Sequence, residues 1–455
     1  MVENAFAEAE NENQGFSLHS TEDILDWLES RKQNLSVWLD KIPLEDCKPW
    51  YYDEKLGMIR NTRGTFFQIT GLRWTKSDGS VVEQPIILQE EIGFLGIICC
   101  KIRGVWHYLM QAKIEPGNVN NVQVSPTIQA TKSNFTQQHG GAKPAFLEYF
   151  IHMEHSDVLV DQIQSEQSSR FLGKRNRNVI LMQHEQLEEP PTHRWVTLPQ
   201  IKELMKYDNL VNMDTRTVLS CIPYVLLGEE GDVPFRNKSY FSRTAASLDR
   251  QTIVSIYKQM NDFKMFERGR IEKIPLFALK DWKMENSEFA HVKGYPFKLI
   301  FCNIAIEGRE VTEWKQPLFA ATGIATFGLL CCDDNGILKF LIKVKPEIGC
   351  FDGIEIGPTI QEEAGSSAPQ DCVTAIFREK LERKDGVLVD VLLSEEGGRF
   401  YREQNRNVII SVKKEEIPDV PKGYVWSDYG TMNILTQINN CLNIQLRNLL
   451  SILEI

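Results

Sequence analysis

"SEQSSRFLGKRNRNVI" at residues 165–180 returns as "SEEGGRFYREQNRNVI" at 394–409. Outward from this pair, a shift of about +232, with small slips at loops, aligns most of the chain with itself. Lys41-Ile42-Pro43-Leu44 maps to Lys273-Ile274-Pro275-Leu276, Trp50 to Trp282, and Cys99-Cys100 to Cys331-Cys332. "QAKIEPG" (111–117) becomes "IKVKPEIG" (342–349), which sets Lys113 over Lys345, Glu115 over Glu347 and Gly117 over Gly349. "SPTIQ" (125–129) becomes "GPTIQ" (357–361). Solenoid units repeat every 20–50 residues or so, so this is a whole domain, duplicated and fused. Residues kept in both copies serve the fold or a shared ligand. Polar residues that differ mark specialisation of one copy.

The 455 residues therefore divide into two units of roughly 200, each long enough for its own core. The expected boundaries are a disordered tail over 1–19, a first repeat over 20–226, a linker over 227–249 and a second repeat over 250–455. The net charge of −11 argues against a general nucleic-acid binder. No apolar run approaches the roughly 20 residues of a membrane span. "MVENAFAEAENENQG" lacks the basic and apolar regions of a secretory signal, so a cytoplasmic protein is expected. The ten cysteines show no metal-type spacing. The paired ones sit in strand-like runs, "GIICC" and "GLLCC", and read as small core residues of a reduced protein.

Each copy opens with a helix. Ser20-Thr21-Glu22-Asp23 reads as a cap before Ile24, Leu25, Trp27 and Leu28, and Leu35, Trp38 and Leu39 extend the helical face. Residues 58–74 and 94–114 read as strands, the second a hairpin turning at Arg103-Gly104, with Asp333-Asp334-Asn335-Gly336 the matching turn. Strands near Phe146–His152 and Asn178–Gln183 follow, then helices from Leu198 and over Asp214–Tyr224, the last matching 445–453. The pattern is α+β, with mixed sheets flanked by helices.

Signatures of nucleotide loops, zinc proteases, calcium loops and the serine elbow are missing, so side chains or the substrate's own groups must do any chemistry. Lys113 and Glu115 share side-chain parity and one face. They form either a salt bridge on a solvated face or part of a pocket. "SPTIQATKSNF" (125–135) concentrates neutral donors suited to a sugar or phosphate. His139, in "HGG" (139–141), has no counterpart in copy two. Arg170/Arg399 and Arg177/Arg406 are forks that suit a diphosphate. Asn176/Asn405 and Asn178/Asn407 bond either a ligand or their own turn. Trp50 and Trp282 either stack on a base or plug the core.

"QAKIEPGNVNNVQVSPTIQATKSNF" (111–135), "HGG" and "FLGKRNRNV" (171–179) resemble the NDP-hexose 2,3-dehydratases of deoxysugar biosynthesis, over nearly the whole chain. The resemblance implies tandem Nudix-like domains, a homodimer, and a thymidine-diphosphate-linked 4-keto-6-deoxyglucose as substrate. Neither copy carries the Nudix box, so metal-dependent diphosphate hydrolysis is not implied, and no metal is expected. No cofactor is expected either, because the sugar's C4 ketone acidifies C3–H and acts as electron sink. The implied roles are Glu115 or His139 as base or acid and Lys113 at the enolate oxygen. Gln129, Thr131, Lys132, Ser133, Asn134 and Phe135 are set along the sugar-diphosphate. Trp50, Ser169, Arg170, Arg177 and Asn178 hold diphosphate and base. Trp282, Gln361, Arg399, Tyr401 and Arg406 form a second pocket in copy two. The competing expectation is a non-catalytic nucleotide-sugar binder with two pockets.

Overall fold

The computed structural model describes residues 15–33, 35–64, 66–131, 144–225, 249–307, 312–365 and 371–453. The two halves repeat one α+β plan, but they are not independent units. Strand Val37–Lys41 of the first half pairs antiparallel with Phe297–Ile306 of the second, Val37 opposite Ile306 and Lys41 opposite Cys302. Its counterpart Arg270–Ile274 pairs with Gln68–Thr75 of the first half. Each half thus lends the other a strand, and the largest buried cluster draws side chains from both, from Ile24 and Tyr108 to Phe340 and Leu449.

This exchange corrects the expected opening helix. The helix covers only Thr21–Gln33, and Val37–Lys41 is a strand. Trp38 is 52% exposed, so it does not continue a core-facing stripe. An available edge in the other half overrides a weak local preference. The segment read as a strand near Phe146–His152 is instead the short helix Leu147–Ile151, which buries Leu147 and Phe150 three residues apart. The expected tail also ends earlier. Phe16 and Leu18 pack on the first half, and the Leu18 amide donates to His107 Nε2 at 3.1 Å.

Each half carries a second, seven-stranded mixed sheet. In the first, Arg175–Gln183 runs parallel to Gly93–Ile102, which turns through Arg103-Gly104 into Val105–Ile114. Both turn residues have positive φ, 49° and 84°, as do Asn335 and Gly336 in the equivalent turn. Along Val105–Ile114, Tyr108, Met110, Ala112 and Ile114 enter the core, which leaves Gln111 and Lys113 on the other face. All ten cysteines are free, and only Cys372 is exposed. Among the described residues no helix is long and apolar enough to cross a membrane.

Two helices meet where the halves join, Met213–Ser220 and Ile444–Ile452, capped by Asn212 and Asn443. Each presents a buried arginine to the opposite half. Arg216 donates to the Ser394 carbonyl and Arg447 to the Ser165 carbonyl. Those serines open the two best-matched stretches, so each arginine pins the other repeat's loop.

Candidate active site

The QAKIEPG turn of each half lies against the SEQSSRF-type loop of the other. The Gly117 amide donates to Gly397 O at 2.8 Å, and Gly349 N donates to Ser168 O at 3.0 Å. Two composite, pseudo-equivalent sites result. The first gathers Lys113, Glu115, Gln129, Lys174 and Asp214 with Glu396 and Arg399 of the second half. The other gathers Lys345, Glu347 and Gln361 with Gln167 and Arg170 of the first.

In the first site Glu115 is 4% exposed and held by donors from both halves. Lys113 Nζ lies 3.0 Å from Oε1, Gln129 Nε2 donates to Oε1 at 3.2 Å, and the Gly397 amide donates to Oε2 at 3.0 Å. The second site repeats the motif with Lys345–Glu347 at 3.4 Å and Gln361 to Glu347 at 2.7 Å. The Lys–Glu pair is therefore a half-sheltered group at a repeat junction, not a bridge on a solvated face.

The two related arginines differ in their partners. Arg170 is 2% exposed, flanked by Glu363 and Glu403 at 3.4 and 3.5 Å, and its guanidinium lies 4.0 Å from the Phe297 ring centre. Arg399 lies 4.4 Å from the Phe67 ring centre and donates to Gln89 Oε1 and Gly398 O, both neutral. Arg399 thus hydrogen-bonds neutral partners, with the Glu396 carboxyl nearby, where Arg170 lies against two carboxylates. Because the loops cross, Arg399 stands on the loop that meets Lys113 and Glu115, while Arg170 stands on the loop that meets Lys345 and Glu347.

Other expected residues are placed elsewhere. Arg177 and Arg406 form bidentate surface pairs with Asp161 and Asp390. Asn178 bonds the carbonyls of Asn176 and Gln162 within its own sheet. Trp50 and Trp282 are both 4% exposed and cross-link the halves, donating to the carbonyls of Lys315 and Glu83. Trp50 also backs Phe67, ring centres 4.7 Å apart, and so supports Arg399 from behind. The Ser169 carbonyl accepts from Gln84, and Tyr401 is half-buried on a short strand beside Glu313–Ala321. Thr131 stands half-buried after the strand Ile128–Ala130. Lys132, Ser133, Asn134, Phe135 and His139 lie outside the described residues. Two open surface clefts, each about 280 Å³, touch none of the Lys113–Glu115 set.

Four groups of the first site escaped the sequence reading: Glu396, Asp214, Lys174 and Glu166. Burial pushes the Glu396 carboxyl up, and Glu115 adds to this against Arg399, Lys113 and Lys174. Burial, then Glu396 and Glu166, push Asp214 well above the usual carboxylate range. Burial raises Glu166 to about 8, although Asn176 donates to it at 2.6 Å, and burial lowers Lys174. The signal lay in the repeat. Glu396 aligns with Gln167, Asp214 with Gln445 and Lys174 with Glu403. A donor-bound carboxylate beside carboxyls whose proton affinity burial raises is an arrangement suited to acid–base chemistry at one carbon skeleton.

The second site contains a carboxyl with no such use. Glu355 is 1% exposed, with the Ser165 hydroxyl and Arg447 beside it. Burial raises it to about 8, opposed by Arg447. The folded form keeps a proton that the unfolded chain releases near pH 4.5. Stability therefore falls as pH rises from about 4.5 to about 8 and is level above that. At the equivalent position Gln123 donates to Ser394 Oγ at 2.6 Å. Glu355→Gln stabilises the fold by an amount on the order of a few kcal/mol at pH 8 and little at pH 4.5. Thermal melts across that range check it, and a pH-independent difference would contradict it.

The chain matches the NDP-hexose 2,3-dehydratase family model twice, over residues 21–222 and 254–453, and belongs to that family. It is a dehydratase. It is similar to three proteins named dTDP-4-dehydro-6-deoxy-alpha-D-glucopyranose 2,3-dehydratase. That of Saccharopolyspora spinosa is 36% identical over 94% of this chain and 90% of its own length. That of Streptomyces violaceoruber is 36% identical over 93% and 95%. That of Amycolatopsis orientalis is 32% identical over 95% and 89%.

Proposed function

We propose that this enzyme removes the C2 hydroxyl of a dTDP-linked 4-keto-6-deoxyhexose and gives a 3,4-diketo-2,6-dideoxy sugar nucleotide. The observation that carries the reading is the Lys113–Glu115 pair, 3.0 Å apart and closed over by the Gly397 amide of the other half. Glu115 takes the C3 proton. The electron pair passes into an enolate whose charge sits on the C4 oxygen, where the Lys113 ammonium stabilises it. The enolate collapses and expels the C2 oxygen as water. The resulting enol at C3 tautomerises to the ketone. The electron sink is the substrate's own carbonyl, so the reaction needs no hydride carrier. Arg399, stacked on Phe67, suits the diphosphate.

The relatives' names supply the substrate class, and their coverage of this chain supports it. The test is incubation of the purified protein with dTDP-4-keto-6-deoxyglucose. Mass spectrometry should show a product lighter by one water, or its breakdown fragments. A protein that neither binds nor converts this compound overturns the reading.

A further inference from the structure

We propose that Glu396, reaching from the second repeat into the Lys113–Glu115 site of the first, is the general acid that protonates the departing C2 hydroxyl. This assignment rests on the dehydratase reading above and adds the residue that reading leaves unnamed.

Elimination needs a proton donor on the leaving oxygen as well as a base at C3. To serve as the acid in the second step, Glu115 would have to turn its new proton to the C2 oxygen, but its oxygens are held by Lys113, Gln129 and the Gly397 amide. Three other carboxyls lie nearby. Glu166 is 3% exposed and bound by Asn176, and its counterpart Glu395 is bound by Asn405 at the same 2.6 Å. A group kept in both copies with the same partner serves the loop. Asp214 is 2% exposed in the first turn of its helix, behind the site. Glu396 alone of the three keeps some of its surface open, and it immediately precedes the glycine whose amide holds Glu115. Lys113 and Arg399 beside it also keep part of their surface open.

The comparison of the two sites supports the choice. Lysine, glutamate and glutamine recur at Lys345, Glu347 and Gln361, yet the Glu396 position holds Gln167. An amide cannot donate a proton as an acid, so the second site keeps the base-like set without the acid. Turnover is confined to the first site.

The surroundings favour the protonated form of Glu396 relative to a free glutamate. Arg399 on its own loop, Lys113 and Glu115 from the facing strand, and Lys174 beside the strand Arg175–Gln183 all act on it. Glu166 and Asp214, the latter from the junction helix, complete the set. Removal from water outweighs the cations and leaves its affinity for the proton above that of a free glutamate. As Glu115 takes the C3 proton, the C3–H electron pair becomes the enolate and then the C2–C3 double bond. The C2–O bond breaks with its pair on oxygen, and the Glu396 proton makes that oxygen water. Glu396 is left as a carboxylate and is reprotonated from solvent on its open side.

The experiment compares two substrates in the full-length protein: dTDP-4-keto-6-deoxyglucose and its 2-deoxy-2-fluoro analogue. Fluoride leaves as an anion and needs no proton. Glu396→Gln is expected to lower kcat on the hydroxyl substrate by about 10²–10⁴-fold, with KM changed only a few-fold. Fluoride release should stay near the wild-type rate. Wild-type kcat should fall on the alkaline side as the acid ionises, and the residual activity of the variant should lose that limb. Glu396→Asp, which withdraws the carboxyl by one methylene, should show the same split and serves if the glutamine variant does not fold. Equal losses on both substrates, or an unchanged hydroxyl rate, would overturn the assignment. If Asp214→Asn alone produces the split, the acid is Asp214 and the proposal is wrong. Wild-type inactivity on both substrates would instead overturn the dehydratase reading itself.

Discussion

Glu115→Gln should slow conversion of dTDP-4-keto-6-deoxyglucose by about 10²–10⁴-fold, the usual contribution of a positioned base. The amide cannot take the C3 proton, and it presents an NH₂ where Glu115 now accepts from Lys113 or Gln129. Part of the loss therefore comes from a displaced Lys113, which weakens stabilisation at the C4 oxygen. Glu115→Asp separates the two effects, since it keeps the charge on Lys113 while moving the base. Glu347→Gln is the matched control. It breaks the same Lys–Glu–Gln arrangement in the site where Gln167 stands in place of Glu396. Steady-state rates on purified, folded variants decide the matter. Full activity in Glu115→Gln with loss in Glu347→Gln would reverse the choice of site.

The internal repeat, the two hairpin turns and the shared face of Lys113 and Glu115 were legible because each is a local signal. Repeated letters, Asn-Gly at a turn and period-two side-chain direction survive in any surroundings. The strand exchange was not legible. Val37–Lys41 is short, follows a good helix, and becomes a strand only because Phe297–Ile306 offers it an edge. The crossing of the loops was hidden for the same reason. Arg170 stands in the first copy and was grouped with Glu115, yet the junction hands Arg399 to that site and Arg170 to the other. Glu396 was passed over although it lies in the best-matched stretch. What recurs draws the eye there, and the informative letter was the one that changed. Trp50 and Trp282 show the limit of residue type as a guide. An indole that donates to a carbonyl of the opposite half fits a core plug as well as a base platform.

Gly117→Ala and Gly349→Ala should cost similar stability but very different activity. A Cβ on Gly117 would lie 1.8 Å from Phe400 O and 2.5 Å from Gly397 O. On Gly349 it would lie 2.0 Å from Phe171 O and 2.3 Å from Ser168 O. These neighbours are backbone atoms tied to the same glycines. Gly117 N donates to Gly397 O at 2.8 Å and Arg402 N to Gly117 O at 2.6 Å, while Gly173 N donates to Gly349 O at 2.8 Å. Neither side can move without breaking bonds between the halves, so each methyl should destabilise by about 3 kcal/mol or more. A fall in Tm on the order of 5 °C would accompany it. The activities part because the Gly397 amide is also the donor to Glu115 Oε2. Pushing that loop away from Gly117 moves Glu396 and Arg399 with it, and a displacement of about 1 Å at reacting groups can cost 10²-fold in rate. Gly349→Ala opens the junction at Lys345–Glu347 and reaches the first site only through Glu166 and Lys174 on the displaced loop, so its rate per folded molecule should fall far less. Equal losses of kcat in the two variants, after correction for folded fraction, would mean that the two junctions contribute alike to turnover, and the single-site account would fall.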